Sequence, residues 1–152
     1  MPKASVKRLI ECNKKDLIDL VLDIEKYPEF IPFCFDAKIY ENKNEGDLTK
    51  IIADLTIGKG PFKDTYKSDV VFNRKKDSIF VKNIEGPLNH LSNNWIFIDK
   101  ENGNTEVTFD IDFEIKNKFL NSLMVVSFQF GLEKIADAFQ KRAEQLFSSS
   151  KN

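Results

Sequence analysis

The side chains in this 152-residue sequence that invite a chemical reading are one histidine, two cysteines and a short comb of carboxylates. His90 has no nucleophile beside it, because Cys12 and Cys34 fall in other elements, so no acid–base–nucleophile set assembles. The cysteines lack the Cys-x-x-Cys spacing of redox and zinc sites, and one histidine leaves a zinc site with an unusual ligand set. Both read as reduced, buried thiols. Asp110, Asp112 and Glu114 alternate along a strand like a metal comb. They lack a cation-ligand loop, and alternate acids are the ordinary pattern of a wet strand face. These groups point to no catalytic chemistry and no metal site.

The apolar patterning says more. Tyr27-Pro28-Glu29-Phe30-Ile31-Pro32-Phe33-Cys34 packs three aromatics, two prolines, an isoleucine and a cysteine into eight residues. Each proline removes a backbone donor and restricts the residue before it, so a long helix cannot run through the segment. A stiff aromatic connection follows, placed to cap a core or to form the rim of a cavity. The chain carries 14 Phe, with 41% hydrophobic and 31% charged residues, which suits one soluble globular domain. A formal charge of −1 predicts no global attraction to nucleic acid or anionic lipid. The runs Lys3, Lys7, Arg8 and Arg74-Lys75-Lys76 read as solvated turns or edges. No apolar leader and no run of transmembrane length are apparent, which leads us to expect a soluble intracellular protein or the mature form of a processed one.

The elements that must position these residues follow from periodicity. Residues 4–12 alternate loosely as a first strand. Asn13 is an N-cap for a helix over about 14–25, where Leu17, Ile18, Leu20, Val21, Leu22 and Ile24 recur at helical spacing. Strands are expected over 36–43, 48–57, 62–73, 78–84 and 90–98, punctuated by Gly, Pro and Asn turns. Asn102-Gly103 supplies the positive φ of a tight turn. Val107, Phe109, Ile111, Phe113 and Ile115 then face one way, with Thr108, Asp110, Asp112 and Glu114 opposite. From Lys118 to Phe147 neither proline nor a polar break interrupts one long helix, and Gly131 is a candidate bend. Its first half exceeds a single apolar stripe, so the surplus should meet a ligand, a partner or a membrane. The prediction is an α+β domain over 1–147 with a frayed tail at 148–152: six or seven antiparallel strands curled around a long C-terminal helix.

The segment Asp23-Ile24-Glu25-Lys26-Tyr27-Pro28-Glu29-Phe30-Ile31-Pro32-Phe33-Cys34 resembles the signature of the coenzyme Q-binding protein family, within the START-like polyketide cyclase superfamily. Gly86-Pro87-Leu88-Asn89-His90-Leu91 followed by Trp95-Ile96-Phe97 is similar to a second motif of that family. Ala138-Phe139-Gln140-Lys141-Arg142-Ala143 is similar to a third. The departures are Leu88, where relatives usually carry Phe, and Asn93, where a glycine often stands. The resemblance implies a helix-grip fold with a hydrophobic cavity, and ubiquinone or a similar polyprenyl lipid as bound ligand, with no other cofactor. It also implies an alternative: a toxin-like protein that binds the large ribosomal subunit and blocks subunit association. An enzyme of the cyclase kind is disfavoured by the missing acid–base pair.

On this reading Tyr27, Phe30, Phe33 and Trp95 shape the mouth and wall. Phe109, Ile111 and Phe113 line the sheet, and Leu123, Met124, Val126 and Phe130 form the helix side. Asp23 or Glu25 is expected to pair at the entrance, with Arg142 as a candidate partner. Peripheral membrane contact belongs with lipid delivery, and the resemblance implies a bacterial cytoplasmic protein, or one at the cytoplasmic face of the inner membrane, before a mature mitochondrial one.

Overall fold

The computed structural model describes residues 3–59, 62–85, 90–114 and 118–147, with side chains throughout except at 59, 62 and 118–128. Strand β1 (Lys3–Ile10) is followed by helix α1 (Lys14–Leu22) and a 3-10 turn (Ile24–Glu29). Six strands succeed them: β2 (Cys34–Glu45), β3 (Leu48–Lys59), β4 (Phe62–Asn73), β5 (Ser78–Glu85), β6 (His90–Asp99) and β7 (Thr105–Glu114). Helix α2 (Lys118–Phe147) closes the order. All neighbouring strands are antiparallel in one sheet ordered β1-β7-β6-β5-β4-β3-β2. The α+β, helix-grip expectation holds: one curved seven-stranded sheet with the long helix against it.

The first helix stops earlier than its apolar spacing suggests. Asn13 caps it through Oδ1, which accepts from the Asp16 amide at 2.8 Å. Pro28 forbids α continuation, so the chain tightens into the 3-10 turn and α1 ends at Leu22. Phe33 then takes φ +69°, a left-handed conformation costly for a bulky residue. Its carbonyl accepts from Gly58 at 2.9 Å, which holds the start of β2 beside the end of β3.

The two sheet edges are covered differently. Helix α2 lies along β1, where Gln129 donates to the Ser5 carbonyl and Gln140 to the Leu9 carbonyl, both at 3.2 Å. Glu144 accepts from the Glu11 amide at 3.0 Å. At the β2 edge Glu25 accepts from the Ile39 amide at 2.9 Å, and two register shifts disrupt the strand. Each device occupies or distorts an edge that could otherwise recruit another strand.

The two poles differ in chemistry. At one, Lys14 bridges Asp77 (2.8 Å) and Asp99 (3.0 Å). Arg74, expected as a solvated turn residue, instead donates to Thr49 Oγ1 and to the carbonyls of Gly46 and Leu48. It thereby ties the β4–β5 turn to the β2–β3 turn. At the other pole Phe33, Phe35, Ile57 and Ile84 are exposed. The Lys63 amine lies 4.0 Å from the Phe35 ring centroid.

Candidate ligand-binding face

Strand alternation divides the sheet into an inner face under α2 and an outer face. The register Val6↔Phe109↔Trp95↔Ile79 runs across four strands and places all four side chains inside. Parity then puts Val107, Ile111 and Phe113 inside with them, while Asp110, Asp112 and Glu114 stand outside. Phe113 is 1% exposed and Trp95 8%, and Phe109 and Ile111 are half-buried. These four sequence-expected residues therefore share one inner face.

Tyr27 and Phe30 are brought to a different place. Phe139 of α2, buried, meets Tyr27 and Phe30 edge-on at 5.4 Å and Trp95 at 5.2 Å. The Tyr27 hydroxyl donates to the Val21 carbonyl, and burial pushes its pKa upward. The aromatic connection thus pins the 3-10 turn to α2 and the sheet. Arg142 completes the clamp: it pairs with Glu29 at 2.8 Å and lies over the Phe30 ring. The partner expected at Asp23 or Glu25 is Glu29, because the 3-10 turn rotates Glu25 toward β2.

Phe33 stands on the exposed rim. Phe130 does not line the interior: it is 62% exposed, with Lys134 over its ring. Gln129 faces β1 and Leu132 is buried, so helical rotation turns Phe130 away from the sheet. Leu123, Met124 and Val126 lie on α2 with side chains outside the described residues.

Where α2 covers the sheet most closely, the core is tightly packed. A void of about 20 Å³ lies between Val6, Arg8, Trp95, Phe109 and Phe139, room for a single water. Arg8 enters this face from β1 and pairs with Asp137 of α2. Nearer the aromatic pole the packing loosens. Leu55, Tyr66, Val81, Asn83, Leu91 and Asn93 are inner-face residues that remain half-buried, and Ser68 among them is buried. This part of the face mixes apolar surface with a few hydroxyl and amide groups, as a small-molecule site does. Arg8, expected as a solvated edge residue, is instead on the inner face, while the sequence reading gave Asn93 only as a motif departure and Tyr66 and Ser68 no part in a site. The signal was present: Val6-x-Arg8-x-Ile10 and Tyr66-x-Ser68-x-Val70-x-Phe72 each put polar groups on the apolar side of an alternating strand.

The groups that invited chemistry lie elsewhere. His90 sits 3.8 Å from Asp112 and 3.5 Å from Ser92, all on the outer face. Ser5 donates to Asp110. Cys12 and Cys34 are buried free thiols, each with its pKa pushed up to about 11, chiefly by burial.

Residues 15–140 match the family described as "Polyketide cyclase / dehydrase and lipid transport". The chain belongs to that family. Among its relatives is the protein named "Ribosome association toxin RatA" of Rickettsia prowazekii, 32% identical over 142 residues, covering 91% of this chain and 94% of the relative. "Coenzyme Q-binding protein COQ10, mitochondrial" of Dictyostelium discoideum is also 32% identical, over 86% of this chain and 63% of its own length. A solved START superfamily protein from Mycobacterium smegmatis shares the fold, with a TM-score of 0.78 at 19% identity over 96% of this chain and 99% of that one. The resemblance to START-like, coenzyme Q-binding and ribosome-associated proteins is thereby established, and the sheet-and-helix architecture is the family's.

Proposed function

We propose that this chain holds a hydrophobic ligand, ubiquinone or another polyprenyl lipid, against the inner face of its sheet and delivers it to respiratory membrane enzymes. The observation that carries this reading is the half-buried inner face around Leu55, Tyr66, Val81, Leu91 and Asn93, set next to an exposed aromatic pole. Burying a long isoprenoid tail contributes about 0.8 kcal/mol per methylene, so affinity needs few polar contacts. Phe33, Phe35, Ile57 and Ile84 would meet the apolar boundary of a bilayer while Lys63 reaches its phosphates. The family description, which includes lipid transport, and the relative named for coenzyme Q binding support the reading. A carrier is favoured over a cyclase because His90 and the strand carboxylates face away from the ligand side.

Trp95, the one tryptophan of the chain, borders the loosely packed part of the inner face and serves as the reporter. Titrating delipidated protein with a benzoquinone carrying a decyl chain should quench its fluorescence saturably, with a midpoint in the micromolar range or below. Quenching that rises linearly without saturation, as for free tryptophan, would sink the carrier reading.

A second reading, association with the large ribosomal subunit and blockade of subunit joining, is favoured by one observation. The relative named as a ribosome association toxin matches over more than nine-tenths of both chains. Lys38 and Lys67 over Tyr40 and Lys63 over Phe35 form a lysine–aromatic corner suited to phosphate and base contact. Co-sedimentation with large subunits that weakens as salt rises would support it. Absence of co-sedimentation at low salt would remove it.

A further inference from the structure

Four inner-face residues break the apolar lining at the level where it loosens: Asn93 on β6, Asn83 on β5, Ser68 on β4 and Tyr66 two residues along β4. The amide of Asn93 can be oriented from its neighbour. Trp95 Nε1 is a donor only and lies 2.9 Å from Asn93, so the atom facing it is the amide oxygen. The Asn93 amide nitrogen, with two N–H donors, is therefore directed elsewhere. Asn83 is oriented the opposite way, because its nitrogen donates to the carbonyls of Lys67 (3.2 Å) and Glu85 (3.0 Å) at the β4–β5 bulge.

Among the described residues, no side chain or backbone group pairs with the Asn93 nitrogen, the Ser68 hydroxyl or the Tyr66 hydroxyl. Nor are these atoms sealed off: the fully enclosed, unpartnered side-chain atoms described are Asp112 Oδ1 and Arg142 Nε. Ser68 is nonetheless only 5% exposed as a residue. Open to the face, these groups carry no such cost as they stand, but an occupant that covered them without bonding them would lose about 1–3 kcal/mol per group, so the face favours a ligand whose own polar atoms meet them.

We propose that Asn93, Ser68 and Tyr66 form a polar subsite that recognises oxygen atoms on the ligand's head group. The inference rests on the carrier reading and narrows it. The ligand is an amphipathic lipid with an oxygen-bearing ring, not a hydrocarbon held by burial alone. Strand geometry supports a ring-sized head. Asn93 lies two strands from β4, about 10 Å away, and Ser68 sits about 7 Å further along from the level of Asn93. Sheet curvature shortens this separation, and each hydrogen bond spans about 3 Å. The remaining gap suits a ring with oxygens on two sides. Asn93 donates to one side, and the β4 hydroxyls donate to or accept from the other.

The test compares two probes by calorimetric titration of the delipidated full chain: a decyl-substituted benzoquinone and decylbenzene, which keeps ring and tail and lacks the oxygens. Wild type should bind the quinone at least tenfold more tightly. Ser68→Ala and Tyr66→Phe, which remove single oxygens, should each cut that preference by about three- to tenfold while leaving decylbenzene affinity unchanged. Asn93→Leu should do the same; if it fails to fold for want of the Trp95 bond, the two β4 variants decide. Equal affinity of wild type for both probes would overturn the subsite and leave the carrier reading standing. So would equal loss of both probes in the β4 variants. Binding of neither probe would overturn both.

Discussion

Phe139→Ala is the substitution that most directly probes how the grip is held closed. The ring is 4% exposed and makes edge-on contacts to Tyr27, Phe30 and Trp95 at 5.2–5.4 Å. Removing a buried phenyl group costs about 3–5 kcal/mol through lost transfer energy and the cavity left behind. The aromatic pairs contribute about 0.5–1.5 kcal/mol each beyond area. These are not additive, but they place the loss near the top of that range. A domain of this size has about 5–15 kcal/mol in total, so at least a quarter of its stability is at stake. Phe139→Leu, which refills most of the volume, should recover more than half. Guanidinium unfolding followed by both Trp95 fluorescence and far-UV circular dichroism measures the difference. A loss under about 1 kcal/mol would mean that the 3-10 turn and α2 are held by something other than this ring.

Arg74→Ala should cost about 1–2 kcal/mol, since it leaves two carbonyls and Thr49 without their donor, and should not change ligand affinity, being at the opposite pole. Urea denaturation beside a quinone titration checks both halves. Gly131→Ala should stabilise α2 by up to about 1 kcal/mol, because an added Cβ meets nothing within 4 Å and helix propensity rises; a lower melting temperature would contradict this. The thiols predict an alkaline limit. Below pH 9 both folded and unfolded chains keep their thiol protons. Between the ordinary value of 9.0 and the raised value of about 11 the unfolded chain releases them first. Stability must therefore fall as pH rises through that window. Replacing both cysteines with alanine should flatten the dependence, and an unchanged slope would refute the assignment.

Much of this was legible in the sequence because period and punctuation agreed. The alternation of Val107, Phe109, Ile111 and Phe113 required an inner and an outer face, and the unbroken run from Lys118 to Phe147 required one helix. Pairwise geometry was not legible. Whether Glu25 or Glu29 reaches Arg142 depends on a 3-10 turn whose pitch differs from the helix before it. Phe130 looked like lining because it is apolar in an apolar helix, yet its azimuth is set by Gln129 bonding β1. Ser68 and Tyr66 looked unremarkable until the sheet placed them opposite α2 on the side where little else is polar. The resemblance carried the fold from three motifs; the same motifs held Phe139 and Arg142, whose partners only the packed structure reveals.

Organic extraction and mass spectrometry of the native chain, purified without detergent, most directly tests whether the inner face takes a polyprenyl lipid. Near-stoichiometric lipid with an oxygen-bearing ring head is the expected result. An extract empty of lipid, from protein that also fails to take up added quinone, would contradict it.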